Sequence, residues 1–328
     1  MGERFDNTMS MNNQKYLAIV FPGQGAQYAG MGLDVVEKHP LLRHIIEIAD
    51  KNTTMPLEEI IKTGDERLNQ TIFTQPSLLL ASILLYEDVK SMFKLQPAAL
   101  CGFSLGEYTA LYAGGVIGLA EVFRLVKIRA EDMHKASIHN PGAMAAILGL
   151  DGQKVADVCT KTSAPQSIVV PANYNSPGQT VISGHSDAVE KAIISCREAG
   201  AKRAIALNVS GAFHSPLMHE ARLAFEKALE NVKLDMPYVP IYMNTTAKPM
   251  QFVELRQRMA EQIESPVQFL QTVEELKKAG IKYILEIGPG AVLAGLVRKT
   301  VPEIEVFSYQ KTSDYENLKG WLVTHELQ

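Results

Sequence analysis

The stretch Ala99-Leu-Cys-Gly-Phe-Ser-Leu-Gly-Glu-Tyr108 decides how the chain is read. Ala98 to Cys101 is a short apolar run with the character of a buried strand, Gly102-Phe-Ser-Leu-Gly106 follows, and a helical pattern begins directly after it. A glycine two places either side of a serine, between a strand and a helix, is the pattern of a nucleophile elbow. The turn draws backbone segments together, and Gly102 and Gly106 carry no side chain to collide there. Ser104 Oγ is then held at a helix N-terminus, where free N–H groups and the helix dipole favour developing negative charge. The alternative is an inert Gly-Ser turn closing a buried strand.

On the N-terminal side, Tyr16-Leu-Ala-Ile-Val-Phe21 has the β-branched and aromatic content of a strand, stopped by Pro22-Gly23. The loop Pro22-Gly-Gln-Gly-Ala-Gln27 has neither the G-x-G-x-x-G nor the P-loop pattern of a phosphate cradle. It can instead set its backbone and Gln24 against a neighbouring site. A helical pattern spans Leu33 to Ala49, and Thr74-Gln-Pro-Ser77 opens an apolar helix to Phe93 with Pro76 in its first turn. Beyond the elbow, a helix from Leu119 to about Lys135 carries Arg129.

The texture changes near Pro141-Gly142. Strand patterns at 144–150, 167–174, 179–183 and 202–209 alternate with helical ones at 153–162 and 187–199, giving the β-α-β-β-α-β order of a ferredoxin-like unit. Further strands at 239–243, 282–287 and 306–309, the last an edge strand, alternate with helices. The expected fold class is therefore α/β, with a mostly parallel sheet formed by residues 15–140 and 210–328 and a ferredoxin-like subdomain inserted at 141–209. Residues 1–14 are polar, without an apolar signal core, and read as a disordered leader.

Of the 328 residues, 46% are hydrophobic and 21% charged, which suits a globular protein with a large core. A net charge of −4 gives no electrostatic reason for a nucleic-acid or membrane partner. The three cysteines are widely spaced and form no metal or redox pair, a usage that fits the cytoplasm. A serine nucleophile needs a base. Among eight histidines, His214 stands out between small and turn-forming residues (Ser210, Gly211, Ser215, Pro216) just before a helix. No carboxylate singles itself out as a third triad member, which leaves a backbone or amide carbonyl to orient the imidazole.

Taken in order, Phe21-Pro-Gly-Gln-Gly-Ala-Gln27, Thr74-Gln-Pro76, the elbow, Arg129, Asn173-Tyr-Asn-Ser-Pro-Gly-Gln179, Gly211-Ala-Phe-His214 and Gly288-Pro-Gly290 resemble the malonyl-CoA:acyl-carrier-protein transacylase family of fatty-acid and polyketide synthesis. The resemblance runs from about Tyr16 to Lys299 and implies an α/β-hydrolase-like core with the inserted unit. It implies that Ser104 accepts the acyl group with His214 as base, and that Gln24 and the Leu105 N–H form the oxyanion hole. It further implies that Arg129 holds the malonyl carboxylate in a pocket lined by Gln75, Phe103 and Phe213. The backbone near Gln268, in Ser265-Pro-Val-Gln268, would orient His214. Asn175, Lys202 and Arg203 would contact CoA or the carrier-protein arm.

The implied partners are malonyl-CoA, as substrate, and an acyl carrier protein, acting with a monomeric enzyme that needs no metal or other cofactor. The family usually reads Gly-His-Ser-Leu-Gly, and Phe103 replaces that histidine here, removing a polar wall from the pocket. Gly-Ala-Phe-His at 211–214 is similar to malonyl-selective relatives. Two rival functions share these residues: an acyl hydrolase editing carrier-bound groups, and a non-catalytic scaffold that binds carrier protein.

Overall fold

Five apolar strands lie parallel in one sheet in the computed structural model, which describes residues 16–327. They are β1 (Leu17–Phe21), β2 (Ala99–Gly102), β7 (Ile241–Tyr242), β8 (Tyr283–Ile287) and β9 (Glu305–Tyr309), in the order β7-β2-β1-β8-β9. Every residue of β1 and β2 is buried, as expected of central parallel strands covered by helices on both faces. The remaining strands, β3 (Ala143–Leu148), β4 (Val169–Ser176), β5 (Gln179–Gly184) and β6 (Arg203–Ala206), form an antiparallel sheet in the order β4-β5-β3-β6. Helices Gly152–Thr162 and Ser186–Glu198 complete its β-α-β-β-α-β order. This second sheet has its own apolar cluster, which includes Ile147, Val155, Ile182 and Val189. The leader expected at 1–14 lies outside the described residues.

Two helices differ from expectation, each near a proline. The pattern at 33–49 is two helices, Leu33–Lys38 and Arg43–Thr53, since Pro40 supplies no N–H and His39 before it leaves the helical region (φ −125°, ψ 76°). The apolar helix begins a turn earlier than Thr74, spanning Thr71–Met92, so Pro76 lies inside it. Gln70 in extended backbone starts it, its carbonyl accepting from the N–H groups of Phe73 and Thr74 (both 2.8 Å). This helix is apolar all round and is buried against the parallel sheet's other helices. Among the described residues no helix is long and apolar enough to cross a membrane.

The loops that follow β1, β2, β7 and β8 leave the same, C-terminal edge of the parallel sheet, where ligands bind in open α/β sheets. The second sheet is tied over this edge. Val267 donates to Ala172 O and its own carbonyl accepts from Tyr174 N (both 2.9 Å), so β4 is fixed beside the elbow.

Candidate active site

The elbow turns as tightly as its glycines suggest. Ser104 has φ +51°, a left-handed conformation rare for a residue with a side chain. A Cβ on Gly102 would fall inside the Gly106 carbonyl, and one on Gly106 inside the carbonyl of Phe21, so neither position admits alanine without backbone movement. The helix Gly106–Ala113 then starts, and the N–H of Leu105 makes no described hydrogen bond within the chain.

His214 reaches the elbow from the loop before helix His219–Leu229, itself in the left-handed region (φ +56°). Gly211 lets that loop lie on Ser137 of helix Leu119–His139, where a Cβ would have no room. The Ser104 Oγ to His214 Nε2 distance is 2.8 Å. On the far side of the ring, Nδ1 faces the carbonyls of Gln262 (2.9 Å) and Ser265 (3.1 Å). Carbonyls only accept, so Nδ1 carries the proton and Nε2 offers its lone pair to the serine hydroxyl. Burial, helped by the Arg129 guanidinium, pushes the imidazole down to about 4, and the base is neutral near pH 7. The segment Ser265–Gln268 thus orients the ring through its Ser265 carbonyl and not through Gln268 itself, whose N–H donates to Asn244 O (2.9 Å) and whose carbonyl accepts from Thr272 as it caps helix Phe269–Lys278.

Arg129 is 1% exposed. Its Nη1 donates to Gln75 Oε1 (2.6 Å) and its Nη2 to Gln262 Oε1 (2.9 Å) and Ser104 Oγ (3.3 Å), while Nε has no partner and the group lies 5.4 Å from the Tyr108 ring centre. Among the described residues it makes no ion pair, so a buried cation beside the nucleophile is left without a contacting anion. Burial lowers the guanidinium below its usual range. The nearby Glu107 carboxyl is likewise pushed by burial, up to about 7, against the pull of the Asn244 N–H, Arg129 and Gln262.

These groups open on a cleft of about 230 Å³ between the two sheets. Gln24, Gln75, Phe103, Leu105, Phe213 and Asn175 all line it. Phe103 packs edge-on against Phe269 (5.5 Å), giving the wall an aromatic surface. Asn175 is buried with its Oδ1 unpartnered. Lys202 and Arg203 are not brought to the cleft. They are exposed at the far end of edge strand β6, whose continuation at Leu207 is the part that lines it, on the order of 13 Å further along an extended chain.

Glu107, Asn244 and Gln262 went unrecognised in the sequence, although they hold the site together. Asn244 Oδ1 accepts from Ser104 N and its Nδ2 donates to Gly102 O (both 2.6 Å). A polar residue just past the C-terminal end of a parallel strand was a signal for Asn244. Gln262 sits in an ordinary helix end and gave none.

Comparison with known proteins agrees over most of the chain. An acyl transferase domain profile matches residues 18–318. The chain is 36% identical to the malonyl CoA-acyl carrier protein transacylase of Haemophilus influenzae, covering 94% of this chain and all of that protein, and 38% identical to that of Escherichia coli K12, covering 90% and 96%. The crystal structure of FabD from Acinetobacter baumannii superimposes with a TM-score of 0.89 at 39% identity, covering 94% of this chain and 99% of that one. A malonyl-transacylase solved in complex with a type II PKS acyl-carrier protein gives 0.88 at 36% identity, covering 92% and 98%. With a profile matched over nearly its full length and relatives above one-third identity across it, the chain belongs to the acyl transferase domain family, among the malonyl CoA-acyl carrier protein transacylases.

Proposed function

We propose that this protein transfers a malonyl group from malonyl-CoA to the phosphopantetheine thiol of an acyl carrier protein, through a malonyl-serine intermediate. The observation that carries the reading is Arg129, a buried guanidinium without a contacting anion, 3.3 Å from Ser104 Oγ. A neutral acyl chain leaves that charge unpaired, whereas a malonyl carboxylate accepts a charge-assisted pair of hydrogen bonds from it. The names of the relatives supply the two substrates.

In this reading His214 Nε2 takes the Ser104 proton as Oγ attacks the thioester carbonyl. The Leu105 N–H and Gln24 receive the oxyanion. The tetrahedral intermediate collapses, the C–S bond breaks, and Nε2–H protonates the departing CoA thiolate. The carrier thiol then gives its proton to Nε2, attacks the malonyl-serine ester and releases Ser104 with its proton returned. Each step is redox-neutral and is served by the chain's own side chains and backbone N–H, so the chemistry calls for no cofactor. The elbow and the β-α-β-β-α-β order support reading 15–140 and 210–328 as an α/β-hydrolase-like core and 141–209 as a ferredoxin-like insertion.

Mass spectrometry after incubation with malonyl-CoA is expected to find one malonyl adduct, on Ser104, that discharges onto added holo carrier protein. An adduct that persists in Ser104→Ala removes the nucleophile assignment. Free malonate released without carrier would favour hydrolysis.

A further inference from the structure

Glu107 is the buried ionisable group beside the cleft that the transfer chemistry leaves unused. It is 1% exposed, and both its oxygens are occupied by donors: Oε2 by the Asn244 N–H (2.6 Å) and Oε1 by Gln262 Nε2 (2.9 Å). Asn244 carries one branch to the elbow, through Ser104 N and Gly102 O. Gln262 carries the other: its Nε2 also donates to Ser104 O (3.0 Å), and its Oε1 accepts from Arg129 Nη2 (2.9 Å). The amide has one permissible orientation, because carboxylate and carbonyl oxygens only accept and the guanidinium only donates.

We infer that Glu107 is a positioning residue for acyl selection, which locks the Gln262 amide with its oxygen toward Arg129 and so aims the guanidinium at the acyl group on Ser104. The inference rests on the malonyl-transfer reading and deepens it. At pH 8 and above, where the raised Glu107 carboxyl is ionised and where the comparison below is made, it accepts at both ends, which no amide of that size does. Glutamine at 107 keeps the shape, and its oxygen still receives the Asn244 N–H, so the elbow branch survives. Its NH₂ then faces the NH₂ of Gln262. To escape that opposition Gln262 turns over, bringing its own NH₂ against Arg129 and its oxygen against the Ser104 carbonyl. The guanidinium keeps Gln75 but loses its second amide acceptor, and with it its aim.

The test compares kcat/KM for malonyl-CoA and acetyl-CoA in wild type, Glu107→Gln, Gln262→Leu and the double variant, with fluorophosphonate labelling of Ser104 and thermal melting alongside. Gln262→Leu retains the main-chain carbonyl that holds His214. Each single variant is expected to lower the malonyl-to-acetyl ratio by roughly tenfold or more, the scale of one charged hydrogen bond, and to slow labelling by a clearly smaller factor. The double variant should fall no further than the worse single one, since both act through the same amide. Equal losses on both substrates with slowed labelling would mean that Glu107 only supports the elbow, and overturns the inference. Additive losses, or a rise in malonyl efficiency from removing a negative charge near Arg129, overturn it too. Should Glu107→Gln not fold, the ratio in Gln262→Leu decides alone. Wild-type protein that transfers no malonyl removes the functional reading and this one together, whereas transfer with an unmoved ratio removes only this one.

Discussion

At the scale of single residues, the base is prepared by what it cannot do. His214 is surrounded by two carbonyl acceptors and a guanidinium, and burial holds its imidazole down to about 4, so it stays neutral well below the usual histidine range. Fluorophosphonate labelling of Ser104, which needs the base but not the acyl-selecting guanidinium, should therefore stay level from about pH 8 to pH 5 and fall only toward pH 4, as labelling rates across that range would reveal. The same shift ties His214 to stability. Between pH 6.5 and 4 the unfolded chain binds a proton that the folded chain refuses, so stability is full above pH 6.5 and is lost as pH falls. Urea unfolding at pH 7 and pH 5 should show wild type losing roughly 2 kcal/mol more than His214→Gln.

Arg129 sets the second expectation at this scale. Removing its fork should lower malonyl kcat/KM by about a hundred- to ten-thousandfold, at about 1.5–3 kcal/mol for each of two charged hydrogen bonds, while acetyl transfer changes little. Arg129→Lys should fall between, keeping charge but not planar geometry. Loss of both substrates alike would assign Arg129 to the fold instead. Of the residues that reach the cleft from the sequence reading, all but Gln75 and Arg129 lie in or beside Gly- or Pro-marked turns, while those two point into it from inside helices. Gln268 fails by three residues because backbone carbonyls leave no trace in side-chain identity, so any of several neighbours fits equally well. Lys202 and Arg203 fail because a charge pattern does not tell which end of a strand faces the site.

At the scale of elements, the elbow's glycines make a strict prediction. Gly102→Ala places a methyl inside the Gly106 backbone, so it should unfold the protein or destabilise it by more than about 3 kcal/mol. Gly295 is the control: it lies within helix Val292–Thr300, and an added Cβ meets nothing within 4 Å. Gly295→Ala should stabilise by about 0.5–1 kcal/mol, since it removes helix-interior glycine entropy. Paired thermal melts check both. Strand identity was legible here because buried parallel strands are short apolar runs between turn formers. Helix ends were less so. The break at Pro40 is local chemistry that the apolar period runs across, and the early start at Thr71 is set by Gln70 and the packing of Thr74 against the Leu68 carbonyl.

At the scale of the whole molecule, the cleft exists because two sheets with separate apolar clusters meet across it. Their stabilities should differ. β1 is fully buried and paired on both sides, whereas β6 is an edge strand with three of four residues exposed. Native-state hydrogen exchange should find the β1 amides slowest and those of β6 among the fastest in any strand. Malonyl loading should slow exchange on both walls together, at the elbow and in β4–β5. Protection confined to the elbow would mean that the second sheet takes no part in holding the acyl group. This arrangement was visible in the sequence only as order along the chain. The bridge from Val267 to β4 that brings the walls together joins residues nearly a hundred positions apart, beyond the reach of any local pattern.

Ser104 and His214 both sit in left-handed backbone, at the two ends of one hydrogen bond. Each conformation disfavours a side chain by about 1–2 kcal/mol relative to glycine. The pair that reacts thus carries a backbone cost that glycine would not, and reactivity is what keeps a side chain at both sites. A descendant freed from turnover and kept only to grip its partner should show its history first at these two positions, in a fold otherwise unchanged.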